Sequence, residues 1–93
     1  VRLNWTPIAL RQLRDARAFM AADNPDAADA LVTQIEERAQ TLLIFPAAGR
    51  PDTTGRRRLA LPPTPYSLIY RVAEARIVIL AVWHGARQWP PSA

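Results

Sequence analysis

No cysteine occurs among the 93 residues, which excludes a disulfide framework, a thiolate zinc site and a cysteine nucleophile. The single histidine, His84, cannot supply the histidine pair common in metal sites, so neither a metal nor any other cofactor is expected. Three glycines are too few for a glycine-rich loop that cradles phosphate. No apolar run approaches the ~20 residues of a membrane-spanning helix. Val1-Arg2-Leu3-Asn4-Trp5 lacks the basic-then-apolar order of a signal peptide, and a cytoplasmic chain with no membrane partner is expected. Lysine is missing too: all twelve basic residues are arginine.

What is present describes one folded domain spanning residues 1–93. Hydrophobic residues make up 49% of the chain and charged residues 22%, which places it among globular domains and away from disordered ones. Eight acids against twelve arginines leave a net charge of +4. The charge is uneven along the chain. Up to Pro46 the acids outnumber the arginines by one; beyond it seven arginines face only Asp52 and Glu74. A basic C-terminal half points to an acidic partner, nucleic acid or protein.

Local signals divide the chain into six elements. Val1 to Trp5 alternates apolar and polar residues and reads as a short strand. Thr6-Pro7 is a helix start, because a threonine side chain can accept a backbone N–H bond and a proline at the first helical position has no N–H to leave unpaired. Ala9, Leu13, Ala16 and Met20 form the buried stripe of that helix. Asn24-Pro25 repeats the start signal, with Asp26 and Asp29 near the positive end of the dipole. Ala28, Leu31, Val32, Ile35, Ala39 and Leu42 then keep one apolar face until Pro46, and the short link at Asp23-Asn24 makes the two helices an antiparallel hairpin.

Residues 47–55 have loop composition. The period then changes to that of strands. Arg56 to Leu61 is one strand, Pro62-Pro63-Thr64-Pro65 a rigid turn, and Tyr66 to Val72 a half-buried strand. After Ala73-Glu74-Ala75, the run Ile77 to Trp83 is apolar on both faces, as in a central strand. The expected fold is α+β with order β-α-α-β-β-β: a helical hairpin on one face of a small, mainly antiparallel sheet.

Candidate functional residues cluster late in the chain. His84 is expected on the face of Val78, Leu80 and Val82, with Arg87 three residues on; a base beside an arginine would suit RNA cleavage, whereas a core-edge imidazole and a solvated arginine would have no chemistry. Ser67 lacks the glycines of a nucleophile elbow, so a hydrolase triad is not expected. Arg56-Arg57-Arg58 could grip phosphate or an acidic peptide, or simply guard an edge strand, and alternation sends Arg57 to the other face from its neighbours. Trp83 reads as core, and Trp89, before Pro90-Pro91, as a lid on the sheet.

Five ordered blocks carry a resemblance: Trp5-Thr6-Pro7 with Ala9 and Leu13; Asn24-Pro25 with Ala27-Ala28; Phe45-Pro46 with Gly49-Arg50-Pro51; Pro65-Tyr66 with Ile69-Tyr70-Arg71-Val72; and Val82-Trp83-His84-Gly85-Ala86-Arg87. Together they resemble the ParE branch of the RelE/ParE toxin superfamily over almost the whole chain. The resemblance implies the same β-α-α-β-β-β fold and a type II toxin held in a hetero-oligomer by a cognate ParD-like antitoxin. For the ParE branch it also implies DNA gyrase as the target. The related ribosome-dependent mRNA endonucleases usually carry an arginine where Ser67 stands and a catalytic tyrosine or lysine near the C-terminus, where this tail has neither. The expectation is therefore a toxin that acts by binding. Arg71, His84, Arg87 and Trp89 are the expected target contacts, and Arg50, Arg56, Arg57 and Arg58 the expected antitoxin contacts. A nuclease and a basic nucleic-acid-binding module are the alternatives.

Overall fold

The computed structural model describes residues 2–85. Strand β1 (Arg2–Trp5) is followed by helices α1 (Pro7–Ala21) and α2 (Pro25–Thr41), then β2 (Arg50–Pro51), β3 (Arg57–Ala60), β4 (Tyr66–Ala73) and β5 (Arg76–His84). Both helix starts form as their sequences dictate. Thr6 Oγ1 accepts from the Ala9 N–H at 3.1 Å, Asn24 Oδ1 accepts from the Ala27 N–H at 3.1 Å, and a proline occupies the first turn of each helix.

The five strands form one sheet in the order β1-β5-β4-β3-β2. Three pairings are antiparallel, and β1 runs parallel to β5 with Leu3 opposite Ile77 and Trp5 opposite Ile79. The loop expected over 47–55 contains the two-residue edge strand β2, paired to β3 through Arg50–Arg58 and Pro51–Arg57. The middle strand is β4. Expected to be half-buried, it is instead buried from Tyr66 to Tyr70 on both faces: Tyr66, Leu68 and Tyr70 enter the helix-side core, and on the other face Ser67 and Ile69 lie between the side chains of β3 and β5. The Pro62-Pro63 bond in the turn before it is cis.

The core lies between the helical hairpin and one sheet face. Ala9, Leu13 and Ala16 of α1 and Leu31, Ile35 and Ala39 of α2 meet Leu59, Leu61, Leu68, Tyr70, Ile77 and Ile79. The helix stripes read from spacing are thus the buried ones, with Met20 and Val32 partly buried at the margin. Helices cover one face only, and the sheet's other face carries the alternate residues of each strand.

One irregularity decides where the C-terminal half of β5 points. Tyr70 pairs with Ile79 but Ile69 pairs with Ala81, so Leu80 is skipped and the alternation of β5 shifts by one residue. Helix α1 holds this segment: Thr6 Oγ1 donates to the Leu80 carbonyl at 3.2 Å, and the Val82 N–H donates to Gln12 Oε1 at 2.8 Å. Beyond the bulge Val82 joins the helix-side core, and Ala81 and Trp83 turn to the opposite face. His84 therefore shares a face with Ile77, Ile79 and Val82, not with Val78 and Leu80 as simple alternation predicts.

Candidate functional site

On the helix side, α1 and the ends of β4 and β5 enclose a cleft of about 420 Å³ lined by Gln12, Asp15, Ala16, Phe19, Tyr66, Val82 and His84. Tyr66 and His84, directly paired across the strands, meet edge to face with ring centroids 5.2 Å apart. Phe19, 74% exposed, stands at the rim, and Ile8 is exposed at 53% on the same helix flank. Spacing alone did not single out this flank. Ile8, Gln12, Asp15 and Phe19 recur at i, i+4, i+7 and i+11, a second stripe offset from the core stripe, and that period was the available signal. A carboxylate, an imidazole and a phenol share the cleft, yet among the described residues no arginine lines it.

The arginines are on the other face. Arg58 pairs with Arg50 across β3 and β2, and its Nε donates to Ser67 Oγ at 3.1 Å. Arg71, exposed, lies two residues further along β4 than Ile69, the residue opposite Arg58. Arg2 and Arg76 face each other at the far end of the sheet. Trp83, expected in the core, sits half-exposed on this face opposite Ser67, because the bulge rotates it away from the helices. Ser67 is buried with 2% exposure.

The expected contact residues thus separate. Arg50 and Arg58 come together and Arg71 shares their face, whereas His84 is across the sheet and about 17 Å along it from Arg71, five residues at ~3.4 Å each. Arg57 points to the helix side, where its Nη1 donates to the Gly49 carbonyl at 2.7 Å and more weakly to the Ala47 carbonyl at 3.4 Å. Through Nη1 it clamps the loop that enters β2. Arg56 is half-buried in the β2–β3 turn, where Asp52 Oδ1 accepts from its N–H at 3.0 Å. Arg87 and Trp89 lie outside the described residues.

Tyr70 fastens the same loop. Its hydroxyl donates to the Pro46 carbonyl at 2.8 Å and accepts from the Gly49 N–H at 2.7 Å. Burial raises the pKa of this phenol above its ordinary value, opposed by the Gly49 hydrogen bond and the nearby Arg57 charge. Gly49 has no room for a side chain: a Cβ there would lie 2.7 Å from the Tyr70 ring. Among the described residues no cluster of three or more His, Asp or Glu is placed to hold a metal, and no helix is long and apolar enough to cross a membrane.

Comparison with known proteins agrees with this architecture. The protein Y4kP of Sinorhizobium fredii is 39% identical over 90 residues, covering 96% of this chain and 93% of its own. Toxin RelE2 of Caulobacter vibrioides is 32% identical over 83 residues, covering 89% and 93%. A chain from the chromosomal ParDE TA system of P. aeruginosa superposes with a TM-score of 0.82 at 30% identity, over 90% of this chain and 95% of that one. The family described as the ParE toxin of the type II toxin-antitoxin system parDE matches residues 3–89. The two helices on a five-stranded mixed sheet, and these matches along nearly the whole length, show that this chain belongs to the ParE toxin family of type II toxin-antitoxin systems.

Proposed function

We propose that this ParE-family chain inhibits DNA gyrase by binding it in the cytoplasm and is neutralised by a cognate ParD-like antitoxin in a hetero-oligomer. One observation carries the choice of binding over RNA cleavage. Among the described residues no arginine lines the α1 cleft that holds the imidazole, and Arg50, Arg58 and Arg71 lie on the opposite face of the sheet. Phosphodiester cleavage needs a base and a cation converging on the same few ångströms of substrate. Ser67 supports the same reading, since a buried neutral hydroxyl occupies the position where the nuclease branch resembles this chain but carries an arginine.

The antitoxin is assigned to the β2–β3 margin through Arg50, Arg56, Arg57 and Arg58. Gyrase is assigned to Arg87 and Trp89, with Arg71 and His84, which lie on opposite faces of the sheet, as further contacts. The Ile8-Phe19 flank of α1 adds an apolar seat for an amphipathic helix of either partner.

Purified chain tested in a gyrase supercoiling assay and in a translation-coupled mRNA cleavage assay separates the two mechanisms. Inhibited supercoiling with intact mRNA is expected, and Arg87→Ala combined with deletion from Trp89 onward weakens inhibition. Cleaved mRNA with unaffected supercoiling refutes the reading.

A further inference from the structure

The helix-free sheet face holds a line of arginines that no role proposed above accounts for as a whole. It begins with Arg2 and Arg76, directly opposed on β1 and β5. Arg71 follows, one strand over and two residues along from Arg76, then Arg58 by the same step, and Arg50 directly beside it. Strand spacing of ~4.8 Å and a rise of ~3.4 Å per residue put successive steps about 8 Å apart and the two ends about 23 Å apart. Four of the five side chains are exposed and Arg58 is half-buried.

Two features make the line more than scattered surface charge. Arg2–Arg76 and Arg50–Arg58 are like charges placed directly opposite on one face, an arrangement that destabilises a sheet. Among the described residues no ion pair joins any of the five to a carboxylate, and Glu74, the acid that shares a concavity with Arg2 and Arg76, sets one negative charge against two positive ones. A ligand carrying regularly spaced negative charge would relieve both pairs at once.

We infer that this diagonal of Arg2, Arg76, Arg71, Arg58 and Arg50 binds the phosphate backbone of duplex DNA. Duplex DNA carries one negative charge per ~1.7 Å of axis, the densest regular polyanion such a line could meet. Residues between the arginines are Ala73, Val78 and Ile69, and Trp83, half-exposed on the same face two strands from Arg58, is a single aromatic beside the line and not the row on which successive single-stranded bases would stack. A concavity lined by Arg2, Ala73, Glu74, Ala75 and Arg76 opens at one end of the line, but its apolar lining is alanine alone, which offers little to an anchoring peptide side chain. The contact is to backbone and reads no sequence. Antitoxin held at Arg50 and Arg58 covers one end of the line, so antitoxin and DNA exclude each other on this face.

The test uses the purified chain alone, so its result stands apart from the gyrase and antitoxin proposals. Fluorescence anisotropy with a labelled 20-base-pair duplex is expected to show binding whose log–log salt slope is about −4.5, from −0.9 per neutralised phosphate over five contacts. Affinity then falls by about two to three powers of ten between 50 and 200 mM salt. Arg71→Glu with Arg76→Glu weakens binding at least tenfold, and Arg71→Gln with Arg76→Gln lowers the slope by about 2. Arg11→Glu with Arg14→Glu, the same charge change on exposed α1 positions, changes affinity less than threefold. The inference is overturned by equal losses in the two Glu pairs. It is also overturned by polyglutamate or single-stranded DNA competing as well as the duplex, or by no binding at 50 mM salt.

Discussion

Tyr70→Phe removes one oxygen from the interior and leaves the ring in place, which makes its effect calculable. Two groups lose a partner. The Pro46 carbonyl belongs to an exposed residue and can turn to water, so its loss costs little. The Gly49 N–H belongs to a buried residue, and Tyr70 Oη is its recorded acceptor. Leaving a buried donor unsatisfied costs about 1–3 kcal/mol, and we expect about 2 kcal/mol at pH 7. For a domain of this size that lowers Tm by roughly 8–16 °C.

The pH dependence gives a second handle. The folded pKa of Tyr70 is raised by burial, so the unfolded chain releases this proton first and stability falls as pH climbs through the ordinary tyrosine range toward the folded value. The wild type loses that contribution above about pH 10. Tyr70→Phe, having no phenol there, does not. Urea unfolding of both proteins at pH 7 and pH 10.5 therefore shows their stabilities converging at high pH. Gly49→Ala presses a methyl on the same ring and should destabilise by about 1–3 kcal/mol. A Tyr70→Phe cost below about 0.5 kcal/mol at pH 7, or a gap between the proteins that widens with pH, would refute the idea that this hydroxyl latches the loop.

Other substitutions test other parts of the account. Thr6→Ala removes the α1 cap and the bond to the Leu80 carbonyl, and a loss of about 1–2 kcal/mol is expected in chemical denaturation, more than for Asn24→Ala, which removes a cap alone. Ile35→Ala opens a hole in the fully buried centre of α2 and should cost about 2–5 kcal/mol by thermal unfolding. Arg17→Ala breaks an ion pair whose side chains are both more than half exposed, and a change within about 0.5 kcal/mol is expected. His84→Ala should leave growth inhibition largely intact in cells expressing the folded variant, since it removes at most one of several target contacts; loss of inhibition together with mRNA cleaved by the wild type would restore the imidazole as a general base.

The two helices, their starting residues and their buried stripes were legible in the chain alone because each signal is local. A threonine or asparagine followed by proline satisfies the N–H groups a few residues on, and a 3.6-residue period shows which side is apolar. The same holds for the positions of β1, β3, β4 and β5 and for the surplus of arginine after Pro46. Pairing between distant segments decided the rest. Nothing within Arg2–Trp5 states that its partner is β5, more than seventy residues on, or that the two run parallel. The skipped Leu80 is held by Thr6 of α1, and that long-range contact moves His84 to the helix side and Trp83 away from the core, against plain alternation. Register likewise assembles Arg2, Arg76, Arg71, Arg58 and Arg50, drawn from five strands, into one line, while sending Arg57 to the backbone of its own loop. Composition counts charges, but which face a charge occupies depends on hydrogen-bonded registers that exist only once the strands have met.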